Sequence, residues 1–333
     1  VPWYYPFCLI IYYFLFTLCY RFCVAVDWKF LFIIIRGKTV KIVRLFGGLG
    51  NQMFQYAFAK LLQSKTSEIV KIDFSYFNFF KENDSIRVPR LFNFNLTLEE
   101  ATCNDIDKVL FFKNRSHPNS PRYSRINKWE RKINRKYYLE SNDDMTIKPI
   151  EQIIKNSYFD GYWQSWKYVD AVWEELQNDF LPKEKLSDKT QAAIEQVKNE
   201  DSVFIGIRRG DYTKYPSLYG SFGQDYFDKA IQVIESKVNS PVYYIFSDDI
   251  PWVKNNIDLG ERKIFYREKE DIVTDFEELM LMASCKHSII INSTFHWWGA
   301  RLREYDGKVV VAPEKWFFDG RKIEIIPARW ITI

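Results

Sequence analysis

From Val40 onward the chain repeats one pattern: a short apolar run, a cluster of small or charged residues, then a longer stretch with helical spacing. Lys41-Ile42-Val43-Arg44-Leu45-Phe46 runs into Gly47-Gly48-Leu49-Gly50 and then into Asn51–Gln63, which predicts strand, glycine turn and helix. Ile69–Asp73 reads as a second strand, and Val203–Ile207, Val242–Phe246 and Ser288–Ile291 as three more. Apolar runs of this length, bounded by turn residues and alternating with helices, predict parallel strands covered on both faces in a doubly wound α/β sheet. The charged stretch 183–200 is expected to be a helix at a boundary. It divides residues 40–185 from 186–333, two α/β domains each long enough for its own core. Ligands of open α/β sheets bind beyond the carboxyl ends of the strands, so those ends are the places to look for a site.

Residues 1–39 depart from this pattern. Val1–Tyr20 is uncharged and apolar over about the length that crosses a bilayer, and Arg21, Lys29, Arg36, Lys38 and Lys41 follow it. The positive-inside rule then leaves the remainder in the cytoplasm, at the cytoplasmic face of the inner membrane. A basic n-region and a small-residue cleavage site are missing, which speaks against a signal peptide. The alternative is that translation starts at Val40 and that 1–39 is mistranslated upstream sequence.

Composition narrows the class. Apolar residues make up 47% and aromatic residues 18% of the 333 residues, as in a globular protein, and the net charge of +4 is too small to argue for nucleic acid. Only Cys103 and Cys285 lie beyond residue 23, too few for a disulfide framework or a zinc site. Residues 113–136 are basic, with Lys113, Arg115, Arg122, Arg125, Lys128, Arg131, Lys132, Arg135 and Lys136 against Glu130 alone. This is either a solvated face or a surface for anionic lipid or a pyrophosphate-linked acceptor.

Four constellations could carry chemistry. Arg208-Arg209-Gly210-Asp211 follows a strand, and a guanidinium there can bind diphosphate oxygens bidentately without losing its proton. Asn292-Ser293-Thr294-Phe295-His296 links a strand to a helix, whose free amide hydrogens make an anion site. Ser247-Asp248-Asp249 offers carboxylates to a guanine edge or a ribose. Gly47-Gly48-Leu49-Gly50-Asn51-Gln52, with Asp73 ending the next strand, resembles half a dinucleotide fingerprint, although Met53 takes the third glycine position. A dinucleotide-dependent oxidoreductase is therefore the alternative from another class. Asp105-Ile106-Asp107 spells a metal-type triplet inside a predicted helix and is read as chance.

These four blocks, in their order along the chain, together with Asp160-Gly161-Tyr162-Trp163-Gln164-Ser165 and Asp275-Phe276-Glu277-Glu278-Leu279, resemble the bacterial α-1,2-fucosyltransferases of glycosyltransferase family 11. The resemblance runs from about Val40 to the C-terminus. It implies a GT-B-like fold of two Rossmann-like domains facing a cleft, and inverting transfer of L-fucose from GDP-L-fucose to the 2-hydroxyl of a terminal galactose in surface glycan synthesis. No cofactor or metal is implied, and the acceptor is a galactose-terminated glycan, free or lipid-linked. By motif, Arg208 contacts the β-phosphate and Arg209 and Asp211 hold its loop. Asn292, Ser293, Thr294 and Phe295 line the diphosphate, and Asp248 or Asp249 reads guanine or ribose. Gly48, Gly50, Asn51, Gln52, Tyr162, Trp163 and Gln164 border the sugar, with the glycines letting backbone approach it. Asp73, Asp160, Glu278 and His296 are candidates for taking the acceptor proton. Two positions depart from the family: its arginine motif usually opens with His where this chain has Gly206, and His296 stands where Ser is common.

Overall fold

The computed structural model describes residues 40–79, 88–112, 120–210, 212–271 and 273–333. Residues 1–39, Lys113, Arg115 and Asp211 lie outside these, and so do the expectations placed on them. The first half carries strands β1 (Val40–Arg44), β2 (Ile69–Asp73), β3 (Glu99–Glu100), β4 (Tyr137–Leu139), β5 (Asp144–Met145) and β6 (Tyr158–Asp160). All except β5 form a parallel sheet in the order β3-β2-β1-β6-β4. The second half carries β7 (Ser202–Ile207), β8 (Val242–Ser247), β9 (Ile264–Tyr266), β10 (His287–Ile290), β11 (Val310–Ala312), β12 (Lys322–Ile323) and β13 (Ile331–Thr332). Its parallel sheet has the order β13-β11-β10-β7-β8-β9. The fold is the GT-B-like pair of Rossmann-like sheets. Every residue of β7 is buried, as a continuous apolar run sandwiched between helices requires.

The helices that bear on the site are α1 (Leu49–Ser64), α2 (Cys103–Val109), α3 (Pro121–Ile133), α4 (Asp188–Lys198), α5 (Gln224–Glu235), α6 (Ile250–Asn256), α7 (Asp275–Ser284) and α8 (Thr294–Arg301). The helical triplet Asp105-Ile106-Asp107 falls in α2, where Asp105 closes a capping box with Thr102 and pairs with Lys71.

Each half has a buried cluster of its own, and a third, larger cluster is common to both. α1 is buried on nearly all sides because it is wedged between its own sheet and α8, and Phe54 packs against Trp297 at 4.6 Å and Trp298 at 5.1 Å between ring centroids. One cluster of buried side chains therefore runs from Val43 and Phe54 in the first half to Phe204, Trp297 and Trp298 in the second. Removing a fully buried indole such as Trp298 costs about 3–5 kcal/mol, and here the loss falls on the junction of the halves. The C-terminal segment also returns to the first half, with β12 paired to β5 and Trp297 Nε1 donating to the Ile325 carbonyl at 2.8 Å. The division at 185/186 is thus crossed by residues near 322–326.

Each sheet has its first strand in the middle, β1 between β2 and β6 and β7 between β10 and β8. Connections leave to opposite sides at these strands, which opens a crevice beyond their carboxyl ends. The Gly47-Gly48 turn and the Arg208–Gly210 loop begin there.

Candidate active site

The glycine turn brings two helix N-termini together. Gly47 has φ +80°, a backbone conformation that L side chains rarely adopt, and Gly48 then starts α1 without any side-chain cap. Gly50 is needed for a different reason from the one expected. A Cβ on it would lie 2.6 Å from the Thr294 carbonyl carbon and 2.7 Å from the Phe295 nitrogen, so its backbone approaches α8 rather than a sugar. Trp298 Nε1 donates to the Gly50 carbonyl at 3.0 Å. A Cβ on Gly48 would meet nothing within 4 Å, which leaves that side open to a ligand.

Asn51 ties this junction together. Its Oδ1 accepts from Gln164 Nε2 at 2.9 Å and from the Thr294 hydroxyl at 3.1 Å. Opposite it, α8 starts at Ser293 with no side-chain cap, so the amide hydrogens of its first turn have no side-chain partner. Two uncapped positive helix ends meeting at one place favour an anion, each by about 0.3–1 kcal/mol or more when partly buried.

Arg208 supplies the full charge beside them. It leaves the end of β7 with about a third of its side chain exposed, and its Nη1 lies 3.2 Å from Asp248 Oδ2. Asp248 shapes the loop: Oδ1 accepts from the Arg209 amide at 2.8 Å and Oδ2 from the Gly210 amide at 3.0 Å. Asp249 caps α6 by accepting from the Trp252 amide at 3.1 Å and also pairs with Arg209 at 3.4 Å. The Arg209 guanidinium lies 3.5 Å over the Trp252 ring. Arg209 thus anchors the loop through Asp249 and Trp252, and the carboxylates of Asp248 and Asp249 shape the same loop. Asn292 has the same kind of work: its Nδ2 donates to the carbonyls of Tyr219 and Trp316, both at 2.8 Å. Phe295 is half-buried against the common core.

His296 and Glu278 face this site from behind. The His296 ring is buried against Gly206, where a Cβ would sit 2.5 Å from its Cγ. Burial, and secondarily the nearby Arg208 charge, push its pKa down to about 3. A nitrogen that protonates so reluctantly is a poor proton acceptor, so the expected base role does not suit it. Glu278 on α7 is raised to about 7 by burial and then by Asp275, with Arg267 and Arg208 pulling the other way.

A cavity of about 90 Å³ opens at the carboxyl end of the first sheet, lined among others by Arg44, Asp73, Tyr76, Tyr123, Tyr137 and Tyr158. Asp73 ends β2 and lines it, oriented by the Tyr158 hydroxyl at 2.6 Å and the Ser75 amide at 2.7 Å. Asp160 ends β6 and accepts both from Arg44 Nη1, at 3.2 and 3.0 Å, and from the Tyr137 hydroxyl. Arg44 in turn lies 5.2 Å from the Phe46 ring and 5.4 Å from the Tyr76 ring. Tyr162 stands beside this wall, its ring 4.8 Å from Phe46.

Three of the expected sugar-side side chains are buried: Gln164, which donates to Asn51, and two that point into the interior. Trp163 is buried and stacked on Phe58 at 3.8 Å, because its φ of +55° turns the side chain into the core. Gln52 is buried as well, donating to the carbonyls of Gly47 at 2.9 Å and Val88 at 3.0 Å. Sequence reasoning missed Arg44 and the tyrosines. A charged residue closing the first apolar strand was the available signal for Arg44. Glu140 was also missed: it accepts from the Tyr162 and Trp163 amides at 2.7 and 3.0 Å, fixing the bend after β6.

Comparison with known proteins gives this arrangement its family. The profile of "Glycosyl transferase family 11" matches residues 34–333. The chain is 29% identical over 299 residues to the O-antigen biosynthesis glycosyltransferase WbnK of Escherichia coli, covering 87% of this chain and 99% of the relative. It is 28% identical over 306 residues to an alpha-1,2-colitosyltransferase of Escherichia coli, covering 89% and 99%. Over 152 residues it is 26% identical to galactoside 2-alpha-L-fucosyltransferase Sec1 of Mus musculus, covering 43% and 41%. The oxidoreductase alternative fails against these matches and against the glycine run, whose last member packs on a helix instead of cradling a cofactor. With a profile that spans nearly the whole chain, the chain belongs to glycosyl transferase family 11.

Proposed function

We propose that the protein transfers L-fucose from GDP-L-fucose to the 2-hydroxyl of a terminal galactose, with inversion, in the synthesis of an O-antigen-type surface glycan. The observation that carries this reading is the convergence of two uncapped helix N-termini, at Gly48 and Ser293, with Arg208 beside them. In-line attack on the anomeric carbon releases GDP, and the charge that develops on its β-phosphate meets Arg208 and the free amides of α8. A preorganised donor of this kind contributes about 3–4 kcal/mol to the transition state.

In this reading galactose enters the cavity beyond β1, β2 and β6, whose tyrosine faces suit a sugar ring. Of the four candidate bases, Asp73 is the carboxylate that lines this cavity, and we assign it the acceptor proton. Calorimetric titration with GDP separates the two roles. Arg208→Ala should lose GDP binding, whereas Asp73→Asn should keep it and lose turnover. Retained GDP affinity in the first variant, or full turnover in the second, would overturn the corresponding assignment.

The names of the relatives favour one specific rival donor. Colitose is the 3-deoxy form of L-fucose, and a relative matched over 89% of this chain is a colitosyltransferase. The two donors differ by one hydroxyl, so parallel assays with GDP-L-fucose and GDP-colitose decide between them.

A further inference from the structure

The face of α3 that points away from the cavity gathers cations and exposed apolar side chains in one place. Ser120 caps this helix, Pro121 opens it, and its inner side is stitched down. Glu130 accepts from the Phe111 amide at 2.9 Å and the Phe112 amide at 2.8 Å, and Asn134 Nδ2 donates to the Val109 carbonyl at 2.8 Å. The helix and the 109–112 segment therefore form one surface. Glu130 is the only acid among residues 120–136, and this engagement buries it.

What faces outward is cationic and aromatic. Arg122, Arg125, Lys128, Arg131, Lys132, Arg135 and Lys136 are all exposed, and none of them is in an ion pair among the described residues. Some lysines elsewhere are paired, as in Lys148–Asp144 and Lys263–Glu200, and others, such as Lys65 and Lys237, are not among the described residues; what distinguishes this face is that its cations cluster within residues 122–136 with no exposed acid among them. Set among these cations are Phe111, 62% exposed, Trp129, 54% exposed, and Ile133, 46% exposed. Positions 122, 125, 129 and 132 fall on one stripe at helical spacing, and Lys132 Nζ lies 5.5 Å from the Trp129 ring centroid.

We infer that this face of α3, with Phe111, docks on an anionic lipid bilayer. Free cations among exposed aromatic and aliphatic side chains fit the headgroup layer: the ammonium and guanidinium groups meet lipid phosphates, and the indole sits at the interface. A purely polyanionic partner such as nucleic acid would account for the cations but not for Trp129, Ile133 and Phe111. The opposite face of the same helix lines the cavity with Tyr123 and Asn127. Docking would hold that cavity next to the bilayer surface, where a lipid-linked acceptor presents its sugars.

Co-sedimentation of the full chain with phosphatidylglycerol/phosphatidylcholine vesicles and with pure phosphatidylcholine vesicles tests this. Any contribution from residues 1–39 that does not depend on lipid charge is common to both and cancels in the ratio. Binding should be at least about tenfold tighter to the anionic vesicles and should weaken steeply with salt. Arg122→Glu/Arg125→Glu/Lys128→Glu/Lys132→Glu should abolish the preference while leaving transfer to a soluble oligosaccharide intact; Arg125→Gln/Lys132→Gln should reduce it if the quadruple variant folds poorly. Trp129→Ala should weaken vesicle binding without changing binding to a short DNA duplex. Equal binding to both vesicle types, a preference that survives charge reversal, or a duplex bound as well as vesicles with no effect of Trp129→Ala would overturn the inference.

Discussion

Gly206 and His296 are 90 positions apart, yet each fixes what the other can be. A Cβ built on Gly206 would lie 2.5 Å from His296 Cγ and 2.7 Å from both Cδ2 and Nδ1, closer than real Cβ contacts come. The ring cannot easily retreat, because it is fully buried at the start of α8. Gly206→Ala alone is therefore expected to cost about 1–3 kcal/mol by overpacking. His296→Ala alone should cost about 2 kcal/mol or more through the void it leaves. In Gly206→Ala/His296→Ala the new methyl enters that void, so the double variant should be more stable than the sum of the singles by about 1–3 kcal/mol. The exchange Gly206→His/His296→Ser, which restores the residues common in the family, should likewise fold better than Gly206→His alone. Denaturant unfolding of the four corners of the cycle measures the coupling. Additive effects would refute the packing argument.

The same side chain carries a pH signature. Its folded pKa of about 3 lies below the usual 6.5, so stability from the buried neutral ring is complete above 6.5 and is lost as the pH falls towards 3. In that window the unfolded chain binds one proton that the folded chain does not, worth about 1.4 kcal/mol per pH unit. The His296→Ala variant should lose stability less steeply on acidification.

Glu278 has the opposite sign. Its folded pKa of about 7 exceeds the usual 4.5, so its contribution is full below 4.5 and is lost as the pH rises through 7. Glu278→Gln should flatten the fall in Tm between these values, and the KM for the donor, which in the wild type should rise with pH as a negative charge develops near Arg208, should become independent of pH there. Gly50→Ala forces a methyl against the Thr294–Phe295 backbone at 2.6–2.7 Å. It should cost about 2–3 kcal/mol in thermal unfolding, and because the junction of α1 and α8 would shift, donor affinity should fall as well; wild-type stability would show that the two helix ends are not in contact.

Much of the framework is readable from the chain. Strands β7 and β8 announce themselves because burial on both faces demands nearly unbroken apolar runs, and β10 through its Ile289-Ile290 end. Arg208 follows from the same logic, since a cation just past a buried strand has few places to point. The reason for Gly50 is not readable, because it depends on which backbone lies opposite, and Thr294 is 244 positions away. Trp163 misleads for a local reason: a residue inside a motif looks functional, and nothing in its neighbours signals a φ of +55°. The loop-shaping bonds of Asp248 and Asp249 are not readable, because a free and a bonded carboxylate look alike in sequence. Arg44 and Asp160 become a pair only when β1 and β6 are set side by side.

The central claim, fucosyl transfer to the galactose 2-hydroxyl from a donor held by Arg208 and two helix ends, is tested most directly by the linkage in the product. The full chain is incubated with GDP-L-fucose and a galactose-terminated oligosaccharide, and the purified product is examined by NMR. The expected result is a single α-L-fucosyl residue on oxygen 2 of galactose. Fucose on another hydroxyl, or no product from GDP-L-fucose alongside transfer from GDP-colitose, would contradict it.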